Sequence, residues 1–172
     1  MNPPIYFFGH KITESNKGFL SNFYEAPFID SDGVQYFCME QYIMKKKQEL
    51  FDPENNGLSQ LIMTSTVQPK IKRYGREIKN FSNEIWVEAR VQIAYDGIMM
   101  KFSQNPRIAR ELLKTRDSMI YEAAPRDRNW GIGFGPQDAL HIDPSRYGDN
   151  LLGKTLMRVR DDLKRNNDNS HH

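Results

Sequence analysis

The stretch FCMEQYIMKKKQELF, residues 37–51, decides the fold, because a strand-and-turn pattern gives way to a helical one there. Ile43, Met44 and Phe51 fall on one face at helical spacing, which predicts a helix over 37–51. Two charges share that apolar stripe. Glu40 and Lys47 are separated by about two turns, roughly 10 Å along the axis, so both side chains point the same way. Ile43 and Met44 occupy the positions where a helix-surface partner for Glu40 would stand, so spacing gives it no such cation. Lys45, Lys46 and Lys47 fan out by about 100° each, and Lys47 is the one aligned with Glu40. A solvated surface explains any single charge, whereas a cleft beside the helix would receive both. On spacing alone the two readings stay open.

Upstream, IYFFG (5–9) predicts a strand, followed by a polar loop ending in GFLSNF (18–23). The segments APFI and VQYF flank Asp30-Ser31-Asp32-Gly33, a strong hairpin signal, so they are expected to pair antiparallel. Downstream the pattern stays helical, over 58–64 and then 70–76. The longest helix starts at Ser82 or Asn83, good N-caps, and carries Ile85, Ala89, Ile93 and Met100 near the helical repeat. Asn105-Pro106 reads as a cap followed by proline at the first helical position, opening a helix to Leu113. A short strand over 118–122, a long loop over 123–149 and the amphipathic segment LLGKTLMRVRDDL complete the pattern. The predicted fold class is α+β: a single compact, mainly helical domain over residues 4–165 with a small antiparallel sheet, then a disordered polar tail over 166–172.

Composition bounds the function. The chain of 172 residues carries a net charge of +2, so a nucleic-acid partner cannot be argued from the total and needs a local cluster. Cys38 is the only cysteine, which leaves no internal disulfide and fits a reducing compartment. The start MNPPIYFFGHK shows no secretory pattern, and no segment is apolar enough to span a bilayer, so no membrane partner and a cytoplasmic or nuclear location are expected. His10 and His141 stand alone, apart from the two histidines of the tail, which supplies no zinc-like ligand set and implies no metal or cofactor.

Two further constellations could carry chemistry. In YEAAPRDRNWGIGFG (121–135), Glu122 and Asp127 precede Trp130 and the glycines Gly131, Gly133 and Gly135, a composition that lets backbone approach a ligand while an aromatic face packs on it. A glycine-rich turn around a core tryptophan is the plainer account. This run is not the dinucleotide fingerprint, because no strand-turn-helix unit surrounds it. The segment PKIKRYGREIKNF gathers Lys70, Lys72, Arg73, Arg76 and Lys79, suited to phosphate, although a solvated helix end is the commoner fate of such runs.

Taken in order, GFLSNF, MEQYIMKKK, YGR, the tryptophan-led helix ending KF, LLKTRDSMIYEAAPRDRNWGIG and GDNLLGKTLMRVR resemble the NADAR superfamily over nearly the whole chain, from Phe7 to Leu163. The resemblance implies an α+β fold and cleavage of an N-glycosidic bond. Some such proteins act on phosphoribosylamino intermediates of riboflavin synthesis, and others remove ADP-ribose from guanine. The implied partner is therefore an ADP-ribose- or phosphoribosyl-containing substrate, including nucleic acid carrying ADP-ribosylated guanine. The family's glutamate falls on Glu40, with Gln41 beside it, its helix lysine on Lys47, and its acidic-tryptophan-glycine loop on Glu122, Asp127, Trp130, Gly131 and Gly133. Its loop asparagine is Asn22, next to Ser21, the arginine after the glycine is Arg76, and the pair before the last helix is Gly148 and Asn150. The segment FGPQDALHIDPSRY departs from the pattern: it is longer than usual and ends in Tyr147 where tryptophan is common.

This chemistry gives the charged stripe a purpose. An N-glycosidic bond breaks when the leaving base is protonated and the developing positive charge at the anomeric carbon is stabilised or trapped, and carboxylates do both. A lysine offers a covalent route, because an amino-linked sugar can open to an imine and exchange onto the amine as a Schiff base. That route needs a neutral amine, hence a partly buried lysine of lowered pKa. Glu40, Lys47 and Asp127 are thus the expected catalytic residues, with direct hydrolysis by Glu40 and Asp127 as the other mechanism; the function expected from the resemblance is removal of ADP-ribose from guanine, and the alternatives are an N-glycosidase of riboflavin intermediates and a non-catalytic ADP-ribose-binding module.

Overall fold

A computed structural model describes residues 2–170. In chain order the elements are β1 (Ile5–Phe7), β2 (Ile12–Thr13), β3 (Asn16–Lys17), β4 (Phe28–Ile29), β5 (Gln35–Tyr36), α1 (Met39–Phe51), α2 (Asn56–Thr64), α3 (Gln68–Gly75), α4 (Asn83–Ser103), α5 (Pro106–Leu113), β6 (Ile120–Glu122), α6 (Pro136–Ala139) and α7 (Leu151–Ser170). The architecture is α+β and mainly helical. The chain forms two compact units: residues 2–24 with 106–170, and residues 25–105. No helix among the described residues is long and apolar enough to cross a membrane.

In the first unit β1 pairs with β6 in parallel, Ile5 opposite Ile120 and Phe7 opposite Glu122. The antiparallel pair β4 with β5 is the expected hairpin, the antiparallel pair β2 with β3 falls where a polar loop is expected, and the parallel pair departs from the expected antiparallel sheet. A parallel pair needs a long crossover, and here the whole second unit lies between the two strands in sequence. Behind β6, α7 presents Leu152, Leu156, Val159 and Leu163 at helical spacing, all buried. Arg160, also on α7, is buried yet satisfied: its Nη1 donates to Ser118 O at 2.7 Å and Thr115 Oγ1 at 3.1 Å. The helix runs on through Ser170, so the part of the expected tail over 166–170 is helical. A helix already nucleated by its buried stripe gains one backbone bond for each further residue. Residues 171 and 172 lie outside the described residues. The long loop over 123–149 is also less irregular than expected, since it holds α6 and a short helical turn over Pro144–Arg146.

The second unit is built around α1, which packs against α2, α3 and α4. Cys38 caps α1 without a side-chain bond. Gln41 reaches back instead, its Oε1 accepting from Phe37 N at 2.8 Å while Nε2 donates to Ile62 O at 3.1 Å and Met63 O at 3.2 Å. One side chain thereby fixes the start of α1 to the end of α2. Ser82 caps α4 as expected, accepting from Ile85 N at 3.4 Å. Helices α1 and α4 approach closely at Gly97, where a Cβ would stand 2.6 Å from the Tyr42 ring and 2.7 Å from the end of Met39.

Lys101, near the end of α4, is 1% exposed. Burial pulls its ammonium pKa down to about 7, the Cys38 charge opposing this. Unfolded, a lysine holds its proton to about pH 10.4, so between these values the unfolded chain binds more protons and stability rises with pH. Denaturation midpoints are therefore expected to climb from about pH 7 to about pH 8.5, above which Cys38, its thiol pushed up to about 11 by burial, works the opposite way, and Lys101→Met is expected to flatten the climb. Equal slopes in both proteins would assign the dependence to other groups.

Candidate functional site

Three consecutive lysines of α1 have three different fates. Lys45 pairs with Glu49 at 3.2 Å and donates to Gln48 at 2.9 Å, and Lys46 pairs with Glu49 at 3.2 Å. Lys47, rotated onward, lies over aromatic rings instead: its Nζ is 4.5 Å from the centre of Phe81 and 5.4 Å from that of Trp86. Phe51, one turn along α1, closes the group, 5.2 Å from Phe81 and 6.4 Å from Trp86 between ring centres. Burial among these rings lowers the Lys47 pKa, and the Glu40 charge partly restores it. Cation–π attraction works with Glu40 for the charged form, but desolvation is the largest cause and sets the direction. The half-buried Glu40 and Lys47 therefore form one electrostatic unit on the stripe that the sequence singles out.

The other expected residues of this unit are not drawn into that group alike. Gln41 is 3% exposed, and its amide is committed to the α1–α2 latch. Arg76 is exposed at the C-terminal end of α3, the helix packed against α1. Phe81 and Trp86 escaped the sequence reading as site residues. Nothing in the spacing of Trp86 reports that its ring faces a lysine from α1.

The remaining candidates belong to the first unit. Asp127 Oδ1 accepts from Asn129 N and Trp130 N, both at 2.9 Å, a turn that sets the tryptophan and commits one carboxylate oxygen to the loop backbone. The loop is laddered onto the start of α7: Asn150 N donates to Gly131 O at 3.1 Å and Leu152 N to Trp130 O at 3.1 Å. Asn150, at φ +52°, accepts from Glu122 N at 3.0 Å and donates to Ile120 O at 2.9 Å, so it is a buried clamp between β6 and the last helix. Gly148 is required by closeness: a Cβ there would stand 2.5 Å from Arg128 O. Gly133 follows one residue beyond Ile132, whose amide donates to Glu122 O at 2.9 Å. Ser21 is buried with its Oγ accepting from Phe23 N at 3.1 Å, and Asn22 beside it keeps a buried Oδ1 with no hydrogen-bond donor. The structure thus brings Glu122, Asp127, Trp130, Gly131, Gly148 and Asn150 together in one hydrogen-bonded loop system. Tyr147, at the end of the divergent segment, donates to Ala139 O at 2.8 Å and stands with Tyr6 and Tyr121 in an aromatic cluster. No group of three or more His, Cys, Asp or Glu side chains able to hold a metal occurs among the described residues.

Known proteins are similar to this chain over most of its length. An N-glycosidase of Acanthamoeba polyphaga mimivirus is 34% identical over 163 residues, covering 92% of this chain and 95% of that protein. A riboflavin biosynthesis protein of Vibrio vulnificus is 30% identical over 164 residues, covering 95% of this chain and 40% of that protein. The NMR structure of the E. coli protein YbiA superposes with a TM-score of 0.75 at 24% identity, covering 100% of this chain and 92% of that chain, and shows the same fold. The NADAR domain matches residues 6–164, across both units, and the chain therefore belongs to the NADAR family.

Proposed function

We propose that the chain is an N-glycosidase that removes ADP-ribose from ADP-ribosylated guanine, free or in nucleic acid, through a Schiff base on Lys47. The observation that carries this reading is the Lys47 amine, desolvated by aromatic rings and within the field of Glu40. A surface lysine at neutral pH is an ammonium ion and no nucleophile, whereas one of lowered pKa supplies the free amine that the reaction needs.

The steps balance as follows. The sugar ring of the amino-linked glycoside opens to an imine, and the Lys47 Nζ lone pair forms a bond to C1. The Glu40 carboxylate takes a proton from the Nζ that has added and passes it to the nitrogen of the leaving base. The C1–N bond to the base breaks, its electron pair leaving with the nitrogen, and C1 remains double-bonded to Lys47 as an iminium. Water adds to C1, the C1–Nζ bond breaks, and the sugar leaves as the aldehyde, which recloses. One water is consumed, and no redox partner enters. Asp127 keeps the catalytic part that the family resemblance implies, with one carboxylate oxygen shaping its own loop.

The second reading is an N-glycosidase for phosphoribosylamino pyrimidines of riboflavin synthesis, favoured by the riboflavin biosynthesis protein among the relatives. Basic residues on and beside α3, exposed at Lys70, Lys72, Arg73, Arg76 and Lys79, support a ligand with more than one phosphate and so favour ADP-ribose. Parallel incubation with ADP-ribosylated guanosine, ADP-ribosylated DNA and the riboflavin intermediate, products read by mass spectrometry, decides between them. Release of base from none of the three would reduce the protein to a reader of ADP-ribose. Because Trp86 lies against the reacting amine, trapping of sugar on Lys47 is expected to change tryptophan emission in a Trp130→Phe background. Unchanged emission there would separate the Trp86 ring from the chemistry.

A further inference from the structure

We infer that Arg90 of α4 is the phosphate-binding residue of the Lys47 site, taking an oxygen of a phosphate or pyrophosphate group on the substrate; this rests on the glycosidase reading. Arg90 is half-buried, its Nε is closed off from solvent, and that N–H has no acceptor. Among the described residues no carboxylate lies within ion-pair distance of it. An arginine fork that is partly desolvated and carries an N–H without an acceptor is costly unless something absent supplies the oxygen. By contrast, the protein's fully buried arginine, Arg160, has acceptors in Ser118 and Thr115.

Position identifies the missing acceptor. Arg90 is one turn beyond Trp86 on α4, about 6 Å along the axis and on the same face. Trp86 faces Lys47, and Gly97, near the other end of that face, faces Met39 and Tyr42. The two helices therefore run in opposite directions, and Arg90 falls opposite the segment of α1 between Tyr42 and Lys47. Lys47 stands at one end of that segment, against Trp86, one turn from Arg90 on α4. A guanidinium needs a planar pair of oxygens, and the anionic oxygens that accompany an amino-linked ribosyl group are those of its 5′-phosphate. Arg76 and the rest of the α3 run are exposed, whereas Arg90 is partly desolvated, so its contact with phosphate is the stronger of the two kinds.

The test uses the full chain and direct binding, so it does not depend on turnover. ADP-ribose, inorganic pyrophosphate and phosphate-free adenosine are titrated calorimetrically into the wild type, Arg90→Gln and Arg90→Lys, each checked for folding by its thermal transition. Arg90→Gln is expected to weaken ADP-ribose and pyrophosphate by at least about tenfold and to leave adenosine unchanged, with Arg90→Lys intermediate because it keeps charge without the fork. In turnover, KM for the phosphorylated substrate should rise while kcat at saturation stays within about threefold. Should Arg90→Gln fail to fold, the Arg90→Lys titrations decide alone. Wild-type affinity for ADP-ribose in either folded variant, or an equal loss for adenosine, overturns the assignment. Pyrophosphate binding through Arg90 in a protein that cleaves none of the glycosides would keep the inference and sink the glycosidase reading. Trapping on Lys47 with an unaffected Arg90→Gln would do the reverse.

Discussion

Lys47→Arg is expected to lower glycoside cleavage by at least about a thousandfold and to abolish reductive trapping altogether. In the wild type, borohydride added during turnover reduces the iminium to a stable secondary amine, leaving sugar mass on the peptide that contains Lys47. Arginine keeps the charge over the Phe81 and Trp86 rings, so phosphate attraction and cation–π contact largely survive. It cannot supply a neutral nitrogen nucleophile near neutral pH, because a guanidinium holds its proton beyond about pH 12. The variant thus separates nucleophile from counter-charge. The wild-type pH profile carries the same signature. Since burial lowers the Lys47 pKa, the free amine appears at lower pH than for an ordinary lysine. The rate should fall as pH drops through that lowered value and recover above it. Substantial activity in Lys47→Arg, with nothing trapped in the wild type, would discard the covalent route and leave direct hydrolysis assisted by Glu40.

How far the sequence reached depended on the range of the forces involved. The stripe of Glu40 and Lys47 was legible because helical periodicity is local, and α1 runs over Met39–Phe51 within two residues of the expected start. The cap at Ser82 and the start of α5 at Pro106 were legible for the same reason. What surrounds Lys47 was not, since Phe81 and Trp86 reach it through packing between helices that no spacing rule describes. Nor was the division into two units, because the parallel pairing of Ile5 with Ile120 joins strands at opposite ends of the chain. Gln41 shows another limit: next to a carboxylate on a functional helix, an amide reads equally as a ligand contact or a strut, and only its three hydrogen bonds reveal the strut. Asp127 shows the reverse ambiguity, a residue expected for catalysis that also has a local task in holding Trp130. Arg90 left no mark in the pattern, because an arginine on an amphipathic helix is ordinarily solvated.

Glu40→Gln is expected to slow cleavage by about 10²- to 10⁴-fold while ADP-ribose binding survives, the cost of removing a proton-transfer group at constant shape. The amide keeps the volume and a carbonyl acceptor but can no longer deliver a carboxylic proton to the leaving nitrogen. It also removes a negative charge that now raises the Lys47 pKa against the effect of burial. The free amine of Lys47 should therefore persist to lower pH in Glu40→Gln than in the wild type. Two readouts then point in opposite directions: turnover falls, while the pH midpoint for chemical labelling of Lys47 moves down. A merely structural Glu40 predicts neither; its loss would lower thermal stability and leave the labelling midpoint in place. A purely electrostatic Glu40 predicts the shifted midpoint with a rate reduced by less than about tenfold. The proton-transfer role requires both effects, together with partial rescue when the leaving base is replaced by one of lower pKa, because a better leaving group needs less protonation. An unrescued loss of rate across a series of leaving groups would assign the slow step to water attack on the Lys47 iminium, and would move Glu40 from acid to base.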